Sequence, residues 1–172
     1  MIALVTGGSG SGKSALAEQL AVGLGGALFY VATMPVRTDE DRKKVARHQT
    51  LRAGRGFVTL ERPERLEPLP PDGATVLLEC LSTLTANRMF SGETCADWTE
   101  QLWTELQPLL ERAGHTVFVS AEVCGDGTVY GAETEAYRRT LTALNRRLAD
   151  RAELVVEAVC GLPVLWKGSL PC

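Results

Sequence analysis

Eight residues near the beginning of the chain have the types and spacing needed to hold a nucleoside phosphate. They match the pattern G-x-x-x-x-G-K-[ST] and follow a short apolar run: Gly7, Gly8, Ser9, Gly10, Ser11, Gly12, Lys13 and Ser14. Glycines let the backbone curl until several N–H groups point at phosphate oxygens, and the helix that begins near Lys13 adds the positive end of its dipole. In this pattern Lys13 bridges the outer phosphates, while the Ser14 hydroxyl holds Mg²⁺. The alternative, a flexible Gly/Ser turn, does not account for the strand before the pattern and the amphipathic helix after it.

A carboxylate that could work beside this loop is Glu79, which ends the apolar run Val76-Leu77-Leu78. A carboxylate at the end of a buried strand next to a phosphate loop has a charge partner in Mg²⁺. The alternative is that Glu79 caps the next helix. We predict the first role, with Ser14 and Glu79 as the metal residues. These residues indicate nucleotide binding and leave the phosphate acceptor open.

A polar segment carries the third candidate group. Lys44, His48 and Arg52 recur at four-residue spacing and form one stripe on a helix. Neighbouring cations disfavour the imidazolium form, and a neutral imidazole is a nucleophile that could attack a nucleotide α-phosphate. The alternative is a solvated charged helix with an incidental histidine, which is the commoner meaning of a charge run. The pattern alone leaves both open.

Apolar runs alternate with helical stretches along the whole chain. The predicted strands are mostly apolar throughout: Ile2 to Thr6, Ala27 to Ala32, Phe57 to Glu61, Thr75 to Cys80, His115 to Ser120, Glu153 to Val159 and Pro163 to Lys167. The predicted helices are Lys13 to Leu24, the polar Thr38 to Arg52, Leu81 to Phe90, Asp97 to Arg112 and Glu133 to Arg151. We predict that Pro108 kinks or shortens the fourth helix. Buried strands separated by helices indicate an α/β fold of the P-loop NTPase type, with a mainly parallel sheet and helices on both faces.

Length and composition restrict the classes of protein to consider. A chain of 172 residues fits a single domain, residues 1–172. Its 18 basic and 21 acidic residues give a net charge of -3, which disfavours nucleic acid and membrane surfaces as partners. No apolar run approaches the roughly 20 residues that span a bilayer. The five cysteines are widely spaced, so we expect a reduced, cytoplasmic protein without a disulfide scaffold or structural zinc.

Several short blocks follow one another in order along almost the whole chain. Besides the glycine loop they are Tyr30-Val-Ala-Thr33, His48-x-x-x-Arg52, Thr59-Leu-Glu61, Leu77-Leu-Glu-Cys-Leu81, Ser120-x-Glu-Val123, Leu144-Asn145-x-x-Leu-Ala149 and Gly161-Leu-Pro-Val-Leu-x-Lys167. Many families share the loop, but the ordered set is much more specific. In this set the chain resembles the bifunctional adenosylcobinamide kinase / adenosylcobinamide-phosphate guanylyltransferase family of cobalamin biosynthesis.

The resemblance implies two reactions on one small protein. A nucleoside triphosphate, ATP or GTP, phosphorylates the aminopropanol hydroxyl of adenosylcobinamide, and GTP then guanylylates that phosphate through a covalent GMP-histidine. Carried over by position, His48 is the GMP acceptor and Lys13 the second catalytic residue. The residues that border the nucleotide would be Gly7 to Ser14, Ala32, Thr33, Met34, Gln49, Thr50, Leu51, Arg52, Glu61 and Glu79. The resemblance also implies a corrinoid substrate and a homotrimer, while Mg²⁺ as cofactor is predicted from Ser14 and Glu79.

Two alternatives of different classes stay open at this point. The chain departs from the family's pattern at Gly10, at Ala121 and over residues 124–130. A P-loop small-molecule kinase, with His48 as a bystander, would keep phosphoryl transfer and lack guanylyl transfer. A nucleotide-gated binding module would keep nucleotide binding and lack both reactions.

Overall fold

The computed structural model describes residues 1–36, 38–52, 54–123 and 127–171. Within the second helix it describes only the backbone of Lys44, Arg47, His48, Gln49, Leu51 and Arg52.

Seven strands and five helices make up this part of the chain. The strands are β1 (Ile2–Thr6), β2 (Leu28–Ala32), β3 (Val58–Glu61), β4 (Thr75–Glu79), β5 (His115–Val119), β6 (Leu154–Val159) and β7 (Leu162–Lys167). The helices are α1 (Lys13–Leu24), α2 (Asp39–Arg52), α3 (Leu81–Met89), α4 (Trp98–Arg112) and α5 (Ala132–Arg151). Every helix and strand predicted from the sequence is present, and each predicted first or last residue lies within one residue of the observed one. Among the described helices, none is both long enough and apolar enough to cross a bilayer.

The strands form one sheet in the order β3-β2-β4-β5-β1-β6-β7. Strands β1 to β6 are parallel, and β7 pairs antiparallel with β6. The mainly parallel sheet predicted from the apolar runs is therefore confirmed. Because β4 and β1 flank β5, the loops that follow these three strands emerge close together at the carboxyl edge. This edge is where open α/β sheets bind their ligands.

The core consists of one apolar cluster on each face of the sheet. One cluster packs β1, β4 and β5 against α3, α4 and α5, with Phe118 fully buried at its centre. The other packs the opposite faces of these strands against α1, through Ala17, Leu20 and Ala21. Burial of a side chain such as Phe118 stabilises the fold by about 1.5–3 kcal/mol. Helices thus cover both faces, as predicted.

Pro108 does not shorten α4, so that part of the prediction is wrong, while a kink at Pro108 stays a prediction. The helix runs from Trp98 to Arg112 with Pro108 inside it. The proline removes the helical hydrogen bond to the carbonyl of Thr104, but Thr104 is exposed to solvent, so water can bind that carbonyl. Four buried leucines hold the helix in the core on both sides of the proline: Leu102 and Leu106 before it, Leu109 and Leu110 after it. Their packing outweighs the local penalty.

Candidate active site

The glycine loop joins β1 to α1 and has the backbone geometry that the motif requires. Gly12 caps the amino end of α1 in the left-handed conformation, with φ of 93°, which costs a glycine little. A Cβ at Gly7 would lie 2.7 Å from the carbonyl oxygen of Ala158, so a larger residue does not fit there. The Nζ of Lys13 donates to the carbonyl oxygen of Gly8 at 2.8 Å, which keeps the ammonium group at the loop.

Ser14 and Glu79 meet at the head of this loop. The Ser14 hydroxyl donates a hydrogen bond to Oε1 of Glu79, 65 residues later in the chain. The other carboxylate oxygen, Oε2, is buried and has no hydrogen-bond partner in the described structure. The amino-terminal cap of α3 is Cys80, without a side-chain capping bond, so nothing supports the alternative role of Glu79 as that cap.

This pair fits the chemistry of a magnesium site. Mg²⁺ prefers oxygen ligands and is usually bound through one or two protein oxygens together with substrate phosphates and water. The Ser14 hydroxyl and the Glu79 carboxylate supply oxygen ligands only, and the unpartnered Oε2 of Glu79 lacks the positive charge or donor that a buried carboxylate needs.

A cavity of about 150 Å³ opens beside Glu79, where β2, β3 and β4 end. Its walls are mostly apolar, and the lining residues are Tyr30, Ala32, Met34, Val36, Val45, Thr59, Glu61, Glu79, Cys80 and Thr83. Because Glu79 contacts Ser14 and also lines this space, the phosphate loop and the cavity adjoin at Glu79.

Helix α2 forms one wall of the cavity through Val45. Its start is fixed by a reciprocal pair of hydrogen bonds of the capping-box kind. The backbone N–H of Asp41 donates to Oγ1 of Thr38 at 3.1 Å, and the N–H of Thr38 donates to Oδ2 of Asp41 at 2.9 Å. Local hydrogen bonds therefore define where this very polar helix begins.

The predicted site residues outside the glycine loop fall into three groups. Ala32, Met34, Glu61 and Glu79 line the cavity together. Thr33 and Thr50 do not line it, because Thr33 is fully buried and Thr50 lies on the exposed side of α2, where its hydroxyl donates to the carbonyl of Ala46. The side chains of His48, Gln49, Leu51 and Arg52 lie outside the described residues.

Thr33 connects the end of β2 to the start of α3, next to the cavity, through hydrogen bonds. Its Oγ1 accepts from the N–H of Cys80 at 2.7 Å and donates to the carbonyl of Cys80 at 2.9 Å. Its own carbonyl accepts from Nδ2 of Asn87, which also donates to the carbonyl of Pro63. Asn87 thereby ties the segments that follow β2 and β3 to helix α3.

The match to a known family is extensive. The family model described as cobinamide kinase / cobinamide phosphate guanyltransferase matches residues 3–165. The chain belongs to this family. The resemblance drawn from the ordered sequence blocks is therefore confirmed.

Curated relatives agree with this assignment. The chain is 33% identical over 174 residues to the bifunctional adenosylcobalamin biosynthesis protein CobP of Pseudomonas aeruginosa, with 96% of each chain covered. It is 31% identical to the bifunctional adenosylcobalamin biosynthesis proteins CobU of Escherichia coli and Salmonella typhimurium, over 97% of this chain and all of theirs. A solved structure, the flagellar accessory protein FlaH from Methanocaldococcus jannaschii, superposes with a TM-score of 0.51 at 15% identity, over 99% of this chain and 79% of that one. This last likeness concerns the fold alone.

Several cavity residues were missed by the sequence reasoning: Tyr30, Val36, Val45, Thr59, Cys80 and Thr83. The alternation of side chains along a strand could have found two of them. Tyr30 precedes Ala32 by two residues and Thr59 precedes Glu61 by two, so each pair shares a face of the sheet. Cys80 ends the apolar run that precedes α3, yet its thiol lies 3.0 Å from both the Ser82 and the Thr83 hydroxyls beside the cavity.

Tyr137 lies behind this wall, on α5. Its hydroxyl donates to the carbonyl of Ser82 at 3.2 Å. Burial, assisted by the nearby Cys80 thiol, raises the pKa of Tyr137 to about 12. Tyr137 is therefore a neutral donor at physiological pH, and it fixes the first turn of α3 beside the cavity.

Proposed function

We propose that this chain phosphorylates adenosylcobinamide and then guanylylates the resulting phosphate, as the family name describes, and that one domain carries both reactions. The observation that supports this most directly is the position of α2. Through Val45 this helix forms a wall of the same cavity that contains Glu79, and Glu79 is bonded to Ser14 of the phosphate loop. A helix that carries a candidate nucleophile thus borders the candidate nucleotide site.

The triphosphate would lie on the glycine loop, with its base in the apolar cavity. Loop N–H groups and the α1 dipole stabilise phosphate charge, and Lys13 neutralises the outer phosphates. Apolar walls suit a flat heteroaromatic base. Glu61 at the cavity edge offers a carboxylate that can accept hydrogen bonds from the N–H groups of guanine.

In the kinase step, the substrate hydroxyl oxygen attacks the γ-phosphorus. The new O–P bond forms while the bond from the γ-phosphorus to the bridging oxygen breaks, and the nucleoside diphosphate leaves with that electron pair. The hydroxyl proton passes to an acceptor oxygen or to water. Charge that develops on the leaving group is offset by Lys13.

In the guanylyl step, the neutral His48 imidazole attacks the α-phosphorus of GTP. An N–P bond forms, and pyrophosphate departs as the P–O bond breaks. A phosphate oxygen of the corrinoid then attacks the same phosphorus, forms a diphosphate and releases the imidazole. His48 follows Val45 by three residues on α2, and positions three apart are neighbours on a helix surface.

Ser14 and Glu79 would hold Mg²⁺ for both steps. When bound, the ion neutralises phosphate charge and aligns the polyphosphate. This proposal is supported by their oxygen-only donor set and by the unpartnered Oε2 of Glu79.

We also propose a homo-oligomer, a trimer by resemblance. The apolar side chains exposed on edge strand β7, among them Leu162 and Trp166, would suit a contact between subunits. A cytoplasmic location stays a prediction from the sequence.

The direct test supplies the purified chain with adenosylcobinamide, Mg²⁺ and ATP or GTP, and follows the corrinoid by mass spectrometry. We expect successive gain of one phosphoryl and one guanylyl group. Lys13→Ala should lower kcat/KM for both the kinase and the guanylyltransferase reaction by at least about a hundredfold. Lys43→Ala, which removes an exposed cation from α2, should leave both values unchanged. Phosphorylation without guanylylation would favour the plain kinase, and nucleotide binding without any product would favour the binding module.

A further inference from the structure

The turn between β6 and β7 lies against the phosphate loop, although it belongs to no part of the motif. Cys160 and Gly161 form a two-residue connection between the paired residues Val159 and Leu162. Both turn residues have positive φ, 52° and 81°, which is the signature of a type I′ hairpin turn.

Three contacts join this hairpin to the loop. The N–H of Gly161 donates to the carbonyl oxygen of Ser11 at 2.9 Å. A Cβ placed on Gly12 would lie 3.1 Å from the Cα of Gly161, and one on Gly7 would lie 2.7 Å from the carbonyl oxygen of Ala158. The first residue of the loop, Gly7, and its later residues Ser11 and Gly12 therefore all pack against the backbone of the hairpin.

The hairpin is itself anchored at its far end. The Nζ of Lys167 donates to the carbonyls of Ala149 and Asp150, at the end of α5, at 3.0 Å each. Across the strands, Nε1 of Trp166 donates to Oε2 of Glu157 at 3.1 Å. Since both ends are fixed, the turn cannot shift without breaking contacts to the rest of the fold.

The hydrogen bond from Gly161 also determines which way a loop donor points. In a trans peptide the C=O and the following N–H point in opposite directions. Because the Ser11 carbonyl points at Gly161, the N–H of Gly12 points away from the hairpin. An N–H directed in this way is available to a phosphate oxygen, whereas an inverted peptide would present a carbonyl to the anion.

We propose that Gly161 is a positioning residue for nucleotide binding: its N–H holds the Ser11–Gly12 peptide in the orientation that presents a donor to the triphosphate. The inference rests on the proposed use of this loop for nucleotide. It assigns a role to the Gly161-Leu-Pro-Val block at the end of the chain, which the motif does not include.

The test compares two alanine substitutions at glycines of the same kind. Gly161 and Gly92 have φ of 81° and 88°, and an added Cβ would meet no atom within 4 Å at either position. Both variants therefore impose the same backbone strain without a clash, but Gly92 lies between α3 and α4. Alanine keeps the N–H, but it disfavours the positive φ at this position, so Gly161→Ala should displace the turn and weaken the hydrogen bond to Ser11. The Kd for a non-hydrolysable GTP analogue should rise about two- to tenfold, up to the loss expected from one hydrogen bond. Gly92→Ala should leave that Kd unchanged.

Steady-state kinetics separate positioning from a general loss of structure. Gly161→Ala should raise KM for GTP and ATP while KM for the corrinoid stays at the wild-type value. Equal nucleotide Kd values in the two variants would overturn the inference. A wild-type chain that binds no nucleotide would instead overturn the proposed function on which it rests.

Hydrogen exchange on the wild-type chain gives a second readout that needs no variant to fold. The Gly161 amide, followed by NMR in ¹⁵N-glycine-labelled protein, should exchange more slowly once the GTP analogue saturates the site, because the bound anion fixes the loop that accepts its hydrogen bond. An exchange rate unaffected by the analogue would contradict the coupling between turn and loop.

Discussion

At the scale of single residues, the carboxylate of Glu79 connects the parts of the candidate site. One of its oxygens binds the Ser14 hydroxyl, the other has no hydrogen-bond partner among the described residues, and the side chain reaches the cavity. A buried polar atom without a partner costs roughly 1–3 kcal/mol. A bound cation would remove this penalty, and this supports the proposal that Glu79 holds Mg²⁺.

Replacement of Glu79 tests this role. Glu79→Gln keeps the shape of the side chain and removes its charge, so we expect the Mg²⁺ concentration for half-maximal rate to rise about ten- to hundredfold in both reactions. Glu111→Gln, on the exposed side of α4, is the matched control and should leave the magnesium dependence unchanged. A magnesium requirement that is the same in all three proteins would rule out Glu79 as a metal residue.

Tyr137 makes a prediction for alkaline solution. An unfolded tyrosine loses its proton near pH 10, but Tyr137 in the folded chain keeps it until about pH 12. Between these values the unfolded state binds fewer protons, so the free energy of unfolding falls as pH rises from 10 to 12. The loss amounts to at most roughly 2 kcal/mol.

The matching variant is Tyr137→Phe, compared with wild type by urea unfolding at about pH 8 and about pH 11. At the lower pH the variant should be less stable by about 1 kcal/mol, because it lacks the hydrogen bond to Ser82. At the higher pH this difference should shrink. A difference that is constant across the two pH values would show that Tyr137 ionises normally in the folded chain.

The sequence predicted the position of a residue well where neighbouring segments of the chain place it, and poorly where partners far along the chain do. The position of Lys13 and Ser14 at the phosphate loop followed from spacing, since the loop and the helix that place them are adjacent in the chain; their roles stay predictions. That Thr33 borders the nucleotide stays a prediction, but the sequence did not indicate that its hydroxyl and carbonyl are bound to Cys80 and Asn87. Those partners lie about fifty residues away, and no local pattern indicates them.

At the scale of elements, α4 shows how packing overrides local propensity. Proline inside a helix costs about 3 kcal/mol relative to alanine, yet the four buried leucines keep the helix continuous past Pro108. The predicted shortening was wrong because a local rule about proline does not include the stabilisation that these side chains gain when they pack into the core.

Pro108→Ala should therefore stabilise the protein. The variant regains an N–H that can donate to the carbonyl of Thr104, and it gives up the smaller entropic advantage of proline in the unfolded chain. We expect the free energy of unfolding in urea to rise by about 2 kcal/mol, with an unchanged m value. Gln101→Ala, an exposed position on the same helix, should change it by less than about 0.5 kcal/mol. A destabilised Pro108→Ala protein would mean that α4 depends on the proline.

At the scale of the whole molecule, the order of the strands brings the functional segments together. The apolar runs predicted which strands exist and that they are mainly parallel, because buried parallel strands have a distinctive composition. They could not predict that β4 lies between β2 and β5, since strand order depends on long-range packing. That order places Glu79 beside both the loop after β1 and the cavity bounded by β2 and β3.

Detection of the covalent GMP-histidine tests the account most directly, because this adduct forms only if His48 on α2 reacts with a nucleotide that the phosphate loop holds. Incubation with GTP labelled at the α-phosphate, in the presence of Mg²⁺ and without corrinoid, should transfer label to the protein as an acid-labile, base-stable adduct. His48→Ala should abolish the label, and added adenosylcobinamide phosphate should discharge it from the wild-type chain. A wild-type chain that forms guanylylated corrinoid without ever carrying label, or a label that persists in His48→Ala, would contradict the account.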